Sequence, residues 1–120
     1  MEKPKQESGH PLYSVHLTRW AQQDLQDISK FLLNRIGNPG QVLAWLDDLH
    51  STIRTLKTMP DRGHWVPEML AAGMKTHREL SHPPYRIIYQ IQAKAVFIFT
   101  VIDSRRDLQS LLKKRLLEWH

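Results

Sequence analysis

The chain has 120 residues, no cysteine, a formal net charge of +5 and a pI near 9.7. That length suits one domain able to bury roughly two thirds of its unfolded surface without a metal or disulfide staple, and the lack of cysteine excludes thiolate chemistry and cysteine-bearing metal sites. No apolar run approaches the ~18 residues of a membrane span and the N-terminus has no signal-like apolar segment, so the expectation is a soluble cytoplasmic protein without a membrane partner.

Residues 1–11, with Pro4, Gly9, Pro11 and no apolar period, are expected to form a disordered tail, leaving 12–120 as a single domain. Tyr13, Val15 and Leu17 alternate with polar residues and predict a short edge strand. Thr18 is placed to cap a helix whose apolar positions are Ala21, Leu25, Ile28 and Leu32, with Asp24 and Asp27 expected on its polar side. Gly37 ends it, and Asn38-Pro39 supplies a new N-cap and first helical residue. The second helix carries Val42, Leu46, Leu49, Ile53 and Leu56, with Trp45 beside that stripe, and must stop before Pro60. Two helices joined this closely form an antiparallel hairpin with one apolar side left to lie on a sheet.

From Asp61 to Gly73 no period survives, so the segment reads as a covering loop in which Trp65 and Met69 plug the edge of the core. Lys75 to Ser81 alternates and predicts a strand, and His82-Pro83-Pro84 turns the chain. Tyr85–Ile91 and Val96–Ile102 are apolar runs rich in Ile, Val, Tyr and Phe, separated by Gln92-Ala93-Lys94-Ala95, and predict a central β-hairpin. Both faces of that hairpin are apolar, so both need a cover. After Asp107, a stripe of Leu108, Leu111, Leu112, Leu116 and Trp119 predicts a C-terminal helix capped by Ser104 or Asp103. The predicted fold is α+β: an N-terminal strand, an antiparallel two-helix hairpin, a three-stranded antiparallel sheet and a C-terminal helix.

Charge is unevenly distributed. Residues 1–74 hold eight Lys or Arg against eight Asp or Glu, and residues 75–120 hold nine against four. A one-sided basic surface attracts a polyanion or an acidic protein partner, or is simply solvated. The seven histidines have no metal-ligand spacing, so neither a metal nor another cofactor is expected.

The element order, with LTRWAQQDLQDI early, YRIIYQI in the middle and VIDSRRDLQSLLKKRLL at the end, resembles the RelE/ParE family of toxins from bacterial type II toxin–antitoxin pairs, over about residues 12–117. The resemblance implies a cytoplasmic growth-arrest toxin of a plasmid-stabilisation kind, neutralised by a cognate antitoxin and meeting operator DNA only through it. RelE-like members cut mRNA on the ribosome, whereas ParE-like members poison DNA gyrase and have no defined catalytic residues. By motif, Arg86 and Arg106 match the RelE-like arginines. Where that pattern has two lysines this chain has His77 and Glu79, and where it has a helix tyrosine this chain has Leu112, which handles no proton.

The expected function is therefore nearer ParE: a gyrase inhibitor that blocks replication, binding its target through Arg78, Arg86, Arg105, Arg106, Lys113 and Lys114. Guanidinium forks suit phosphate or carboxylate, and this favours a contact role for Arg105 and Arg106. The alternative is a ribosome-dependent mRNA endonuclease with Arg86 and Arg106 on the phosphate and His77 or Glu79 moving protons. A third is an inactive toxin serving only as corepressor. Asp103 and Asp107 fit a helix-start role as well as a functional one; Glu79 has Arg78, Arg86 and the 105–106 pair as candidate partners. Tyr85 and Tyr89 are expected in the core, Trp119 to pack and His120 to fray.

Overall fold

The computed structural model describes residues 12–118. The expected tail at 1–11, Trp119 and His120 lie outside the described residues, as do the side chains of Leu116 and Glu118. In chain order the elements are β1 (Ser14–Leu17), α1 (Arg19–Ile36), α2 (Pro39–Arg54) with a 3-10 turn at Thr55–Lys57, β2 (His64–Trp65), α3 (Pro67–Ala71), β3 (Arg78–His82), β4 (Tyr85–Gln92), β5 (Ala95–Asp103) and α4 (Leu108–Glu118).

Local chemistry sets the helical hairpin. The Thr18 hydroxyl accepts from the Ala21 N–H at 3.1 Å and donates to the Ile98 carbonyl at 2.8 Å, so one side chain caps α1 and ties it to β5. Gly37 takes the left-handed conformation, φ 72°, and returns its N–H to the Leu33 carbonyl at 2.8 Å. Asn38 then caps α2 by accepting from the Gln41 N–H at 3.2 Å.

The expected three-stranded antiparallel sheet is the middle of a larger one. Five strands run in the order β1-β5-β4-β3-β2, with β1 parallel to β5 and the other pairs antiparallel. The long apolar β5 would otherwise leave a row of backbone groups unpaired, and β1, carried away from it by the whole helical hairpin, returns beside it in parallel. The segment expected to be a loop contains β2 and α3. Elements of two and five residues are shorter than a readable hydrophobic period, and β2 exists only through its pairing of His64 with Glu79 and Trp65 with Arg78. Met69 is buried as expected and Trp65 half-buried.

A bulge decides which face each β5 side chain serves. Tyr89 pairs with Ile98 but Ile88 pairs with Thr100, leaving Phe99 as an extra residue. Val96, Ile98 and Val101 therefore join Tyr85, Ile87 and Tyr89 under the helical hairpin, in a core with Ala21, Leu25, Leu49, Ile53 and Leu56. Phe99 and Ile102 join Ile88 on the opposite face, where Val66, Met69, Leu108 and Leu112 cover them. Simple alternation would have put Phe99 with Val101. The cap of α4 also differs from expectation. Asp107 accepts from the Ser110 N–H at 3.1 Å and its hydroxyl at 2.7 Å, because α4 begins at Leu108 and so has Asp107 at its N-cap, while Asp103 lies in the preceding turn and accepts from the backbone and guanidinium of Arg105.

Candidate functional site

On the sheet face opposite the helical hairpin, Arg86 of β4 lies between two carboxylates. Its NH1 and NH2 donate to the two oxygens of Glu68 at 2.8 Å each, while Nε and NH2 donate to Glu79 at 2.9 and 2.6 Å. The cross-strand register makes this possible, since β3 places Glu79 opposite Ile88 and Ser81 opposite Arg86. The paired Glu68 and Glu79 raise the pKa of Arg86, and Arg86 in turn lowers that of Glu68. Of Glu79's candidate partners, the fold selects Arg86, with exposed His64 at 3.7 Å as a second neighbour.

His77 is buried on this face. Its Nδ1 lies 2.8 Å from the Thr76 hydroxyl, its ring meets Phe99 edge-on with centroids 5.2 Å apart, and its buried Nε2 has no hydrogen-bond partner among the described residues. Burial lowers its pKa, keeping the ring neutral. Arg78 belongs to the other side of the sheet, stacked 4.0 Å over the Trp65 ring and donating to the carbonyls of Gly63 at 2.8 Å and Asp61 at 3.2 Å. The fold thus separates Arg78 from Arg86.

The end of β5 is a second locus. Asp103 accepts from Arg105 Nε at 2.9 Å and NH2 at 2.7 Å, and these bonds with the Arg105 N–H bring the carboxyl pKa down to about 2. Beside it, two adjoining clefts of about 390 and 250 Å³ share Phe31, Tyr85 and Asp103. Leu32, Ile36 and Trp45 extend the apolar lining, and Arg35, Arg105 and Arg106 stand on the margins. Phe31 is 51% exposed although it lies in this lining, so the groove is open to a partner. Lys113 and Lys114 are exposed on α4, and neither they nor the Arg106 side chain has an ion pair among the described residues.

Asp24 was expected on the polar side of α1 and is instead the anchor of α4. Its carboxylate receives both terminal nitrogens of Arg115 at 2.9 Å, the Thr100 hydroxyl at 2.6 Å and the Val101 N–H at 3.1 Å. Sequence reasoning missed this residue because its partners lie 76 to 91 positions away. Among the described residues no group of three or more His, Asp or Glu side chains is placed to hold a metal ion, and no helix is long and apolar enough to cross a membrane.

Residues 15–108 match a family model described as ParE toxin of type II toxin-antitoxin system, parDE. Among solved structures the chain is similar to the chromosomal ParDE toxin–antitoxin system from P. aeruginosa, at 21% identity and TM-score 0.64, covering 77% of this chain and 96% of that one. It is also similar to the RelBE2 toxin–antitoxin complex from Mycobacterium tuberculosis, at 22% identity and TM-score 0.52, covering 77% and 91% respectively. No curated protein sequence matches. At these identities the structural likeness is one of fold.

Proposed function

The chain belongs to the ParE family of toxins of type II toxin–antitoxin systems, and from that premise we propose that it arrests growth by binding DNA gyrase and blocking replication, without cutting RNA. The observation that carries this reading is the state of Arg86. A nuclease needs its sheet arginine free for the scissile phosphate, with an acid and a base beside it. Here Arg86 is already bound by Glu68 and Glu79, Glu79 is committed to that pair, and His77 is buried against Phe99. A phosphate approaching Arg86 would meet two carboxylates for one guanidinium. The contact surface for the target is then left to Arg106, Lys113 and Lys114, which have no ion pair among the described residues, with Arg105 reachable if it releases Asp103 and with Arg78 and Arg86 supporting the sheet.

Neutralisation follows the same logic. The groove lined by Phe31, Leu32, Trp45 and Tyr85 and rimmed by Arg35, Arg105 and Arg106 suits an acidic amphipathic tail of a cognate antitoxin in the same cytoplasm. Purified toxin is expected to inhibit supercoiling by purified gyrase and to release it when antitoxin is added. Unimpaired supercoiling at a large molar excess of folded toxin, with ribosome-bound mRNA cut instead, would overturn the proposal.

A further inference from the structure

A third cleft, of about 90 Å³, lies where β2, β3 and β4 run side by side, on the sheet face that carries the helical hairpin. The strand register builds it. Trp65 pairs with Arg78 and Arg78 with Tyr89, so these three side chains form one row across the strands. Thr76, two residues before Arg78, and Ile91, two after Tyr89, fall on the same face, and Lys75 completes the lining.

Arg78 is held in this cleft without a counter-ion. Its guanidinium stacks 4.0 Å over the Trp65 ring, and NH1 donates to the carbonyls of Gly63 and Asp61 at 2.8 and 3.2 Å. Those bonds engage NH1 alone. Among the described residues Nε and NH2 have no hydrogen-bond partner and the guanidinium has no ion pair. Carbonyls and an aromatic face fix the position of the charge but do not neutralise it, and the Nε and NH2 donors are left for a ligand. Lys75 is exposed and also has no ion pair among the described residues. The Tyr89 hydroxyl is engaged by the Pro60 carbonyl and the Gly63 N–H, and the Thr76 hydroxyl meets His77, so the two cations are the groups a ligand would find.

The charge balance is one-sided. The clefts of the arginine-rimmed groove are also lined by Asp27 and Asp103, and a cleft between α3 and α4 has Glu68 beside Lys113, whereas no carboxylate lines this one. Asp61 and Arg62 act on the Tyr89 hydroxyl with opposite sign and offset each other. Two cations without a counter-charge select an oxyanion. A carboxylate, with two oxygens and one charge, would satisfy the free edge of Arg78 and leave Lys75 unmatched, while a phosphate group has a further oxygen for Lys75. The volume equals that of about three waters, enough for one such group and far below the ~300–1,000 Å³ that encloses a whole small-molecule ligand.

We propose that the Trp65–Lys75–Arg78 cleft is a phosphate-binding site, in which the Nε and NH2 donors of Arg78 take two oxygens and Lys75 a third. A nucleic-acid backbone and a free phosphate ion present the same chemistry to it. The site sits at the Ile91 end of β4 and the arginine-rimmed groove at the Tyr85 end, about 20 Å apart at ~3.4 Å per residue, so the two are separate surfaces. The assignment depends neither on the toxin reading nor on gyrase.

The test measures binding of three probes to the full chain: inorganic phosphate, a short DNA duplex without terminal phosphates, and a poly-glutamate peptide. Lys75→Ala and Arg78→Gln are the site variants. Lys113→Ala, which removes an exposed cation from α4 on the other sheet face, is the control for net charge, and the Tm of each chain is recorded. The wild type is expected to bind phosphate or duplex, with affinity falling about tenfold or more in each site variant and unchanged in Lys113→Ala. The arginine Nε–H resonance that disappears in Arg78→Gln should shift when the bound probe is added to the wild type. Binding of duplex without inorganic phosphate would identify the backbone as the source, and binding of inorganic phosphate alone would identify the free ion; either supports the site. Failure of both probes to bind, or wild-type affinity in Lys75→Ala, would overturn it. Equal weakening in Lys113→Ala would reduce the effect to net charge, and binding of poly-glutamate alone would give the cleft to an acidic protein; both outcomes refute a phosphate site. If Arg78→Gln lowers Tm through its lost carbonyl bonds, Lys75→Ala at unchanged Tm decides the matter.

Discussion

Removing the Asp24 carboxylate is the most informative perturbation of the fold. Asp24 and Arg115 have side chains only 14% and 12% exposed, so Asp24→Ala strands a guanidinium in a poorly hydrated site. It also leaves the Thr100 hydroxyl and the Val101 N–H without their acceptor. Breaking one side of a buried pair costs about 3–5 kcal/mol, a large share of the ~5–15 kcal/mol that holds a domain of this size together. The corresponding fall in Tm is roughly 10–20 °C. Asp24→Asn can keep an oxygen for Thr100, Val101 and one Arg115 nitrogen, but it loses the charge and replaces the second acceptor of Arg115 by an NH2 donor, so its cost should be about 2–3 kcal/mol. The double variant Asp24→Leu with Arg115→Leu removes both charges and should recover much of the loss, giving a favourable coupling energy in the cycle. Urea unfolding followed by tryptophan emission suits the measurement, because Trp20 packs edge-on to Phe99 at 5.3 Å and lies 5.8 Å from the Arg115 guanidinium. If Asp24→Ala cost less than about 1 kcal/mol, the value of an exposed pair, the reasoning that α4 is anchored through this carboxylate would be wrong.

Other perturbations probe the remaining contacts. Gly63→Ala places a Cβ 2.6 Å from both the Glu79 carbonyl oxygen and the Tyr89 hydroxyl, and the strain should cost about 1–3 kcal/mol in the same unfolding assay. Arg86→Leu leaves Glu79, a side chain only 7% exposed, without its main partner and should cost about 3–5 kcal/mol, so growth assays on this variant need a parallel measurement of folded protein. His77 has a folded pKa below its usual 6.5, so the unfolded chain takes up the proton first as pH falls. Its contribution to stability is therefore complete above about pH 6.5 and is lost as pH drops from there through the folded pKa, and His77→Phe should flatten that part of a stability–pH curve. An unchanged slope in His77→Phe would refute this account of the ring.

Much of the fold was readable because it is written in local patterns. The caps at Thr18 and Asn38, the stop at Gly37, the stripes of α1 and α2 and the apolar runs of β4 and β5 each depend on residues a few positions apart. The shifts came where a residue's setting is made by distant chain. β2 is a strand only because β3 lies beside it, the bulge at Phe99 reverses the facing of half a strand, and Asp24 is turned from a polar helix face to Thr100 and Arg115.

The sequence by itself determined the α+β class, the central hairpin, the family and the excess of cations toward the C-terminus, since composition, short-range periodicity and ordered motifs survive without coordinates. Only the tertiary structure decided what those charges are free to do. Arg86 and Arg106 look alike as letters, yet one is neutralised by two carboxylates brought from Glu68 and Glu79 while the other has no ion pair among the described residues. The physical reason is that an ion pair is made by proximity in space and by burial, and neither is encoded in the spacing of residues along the chain.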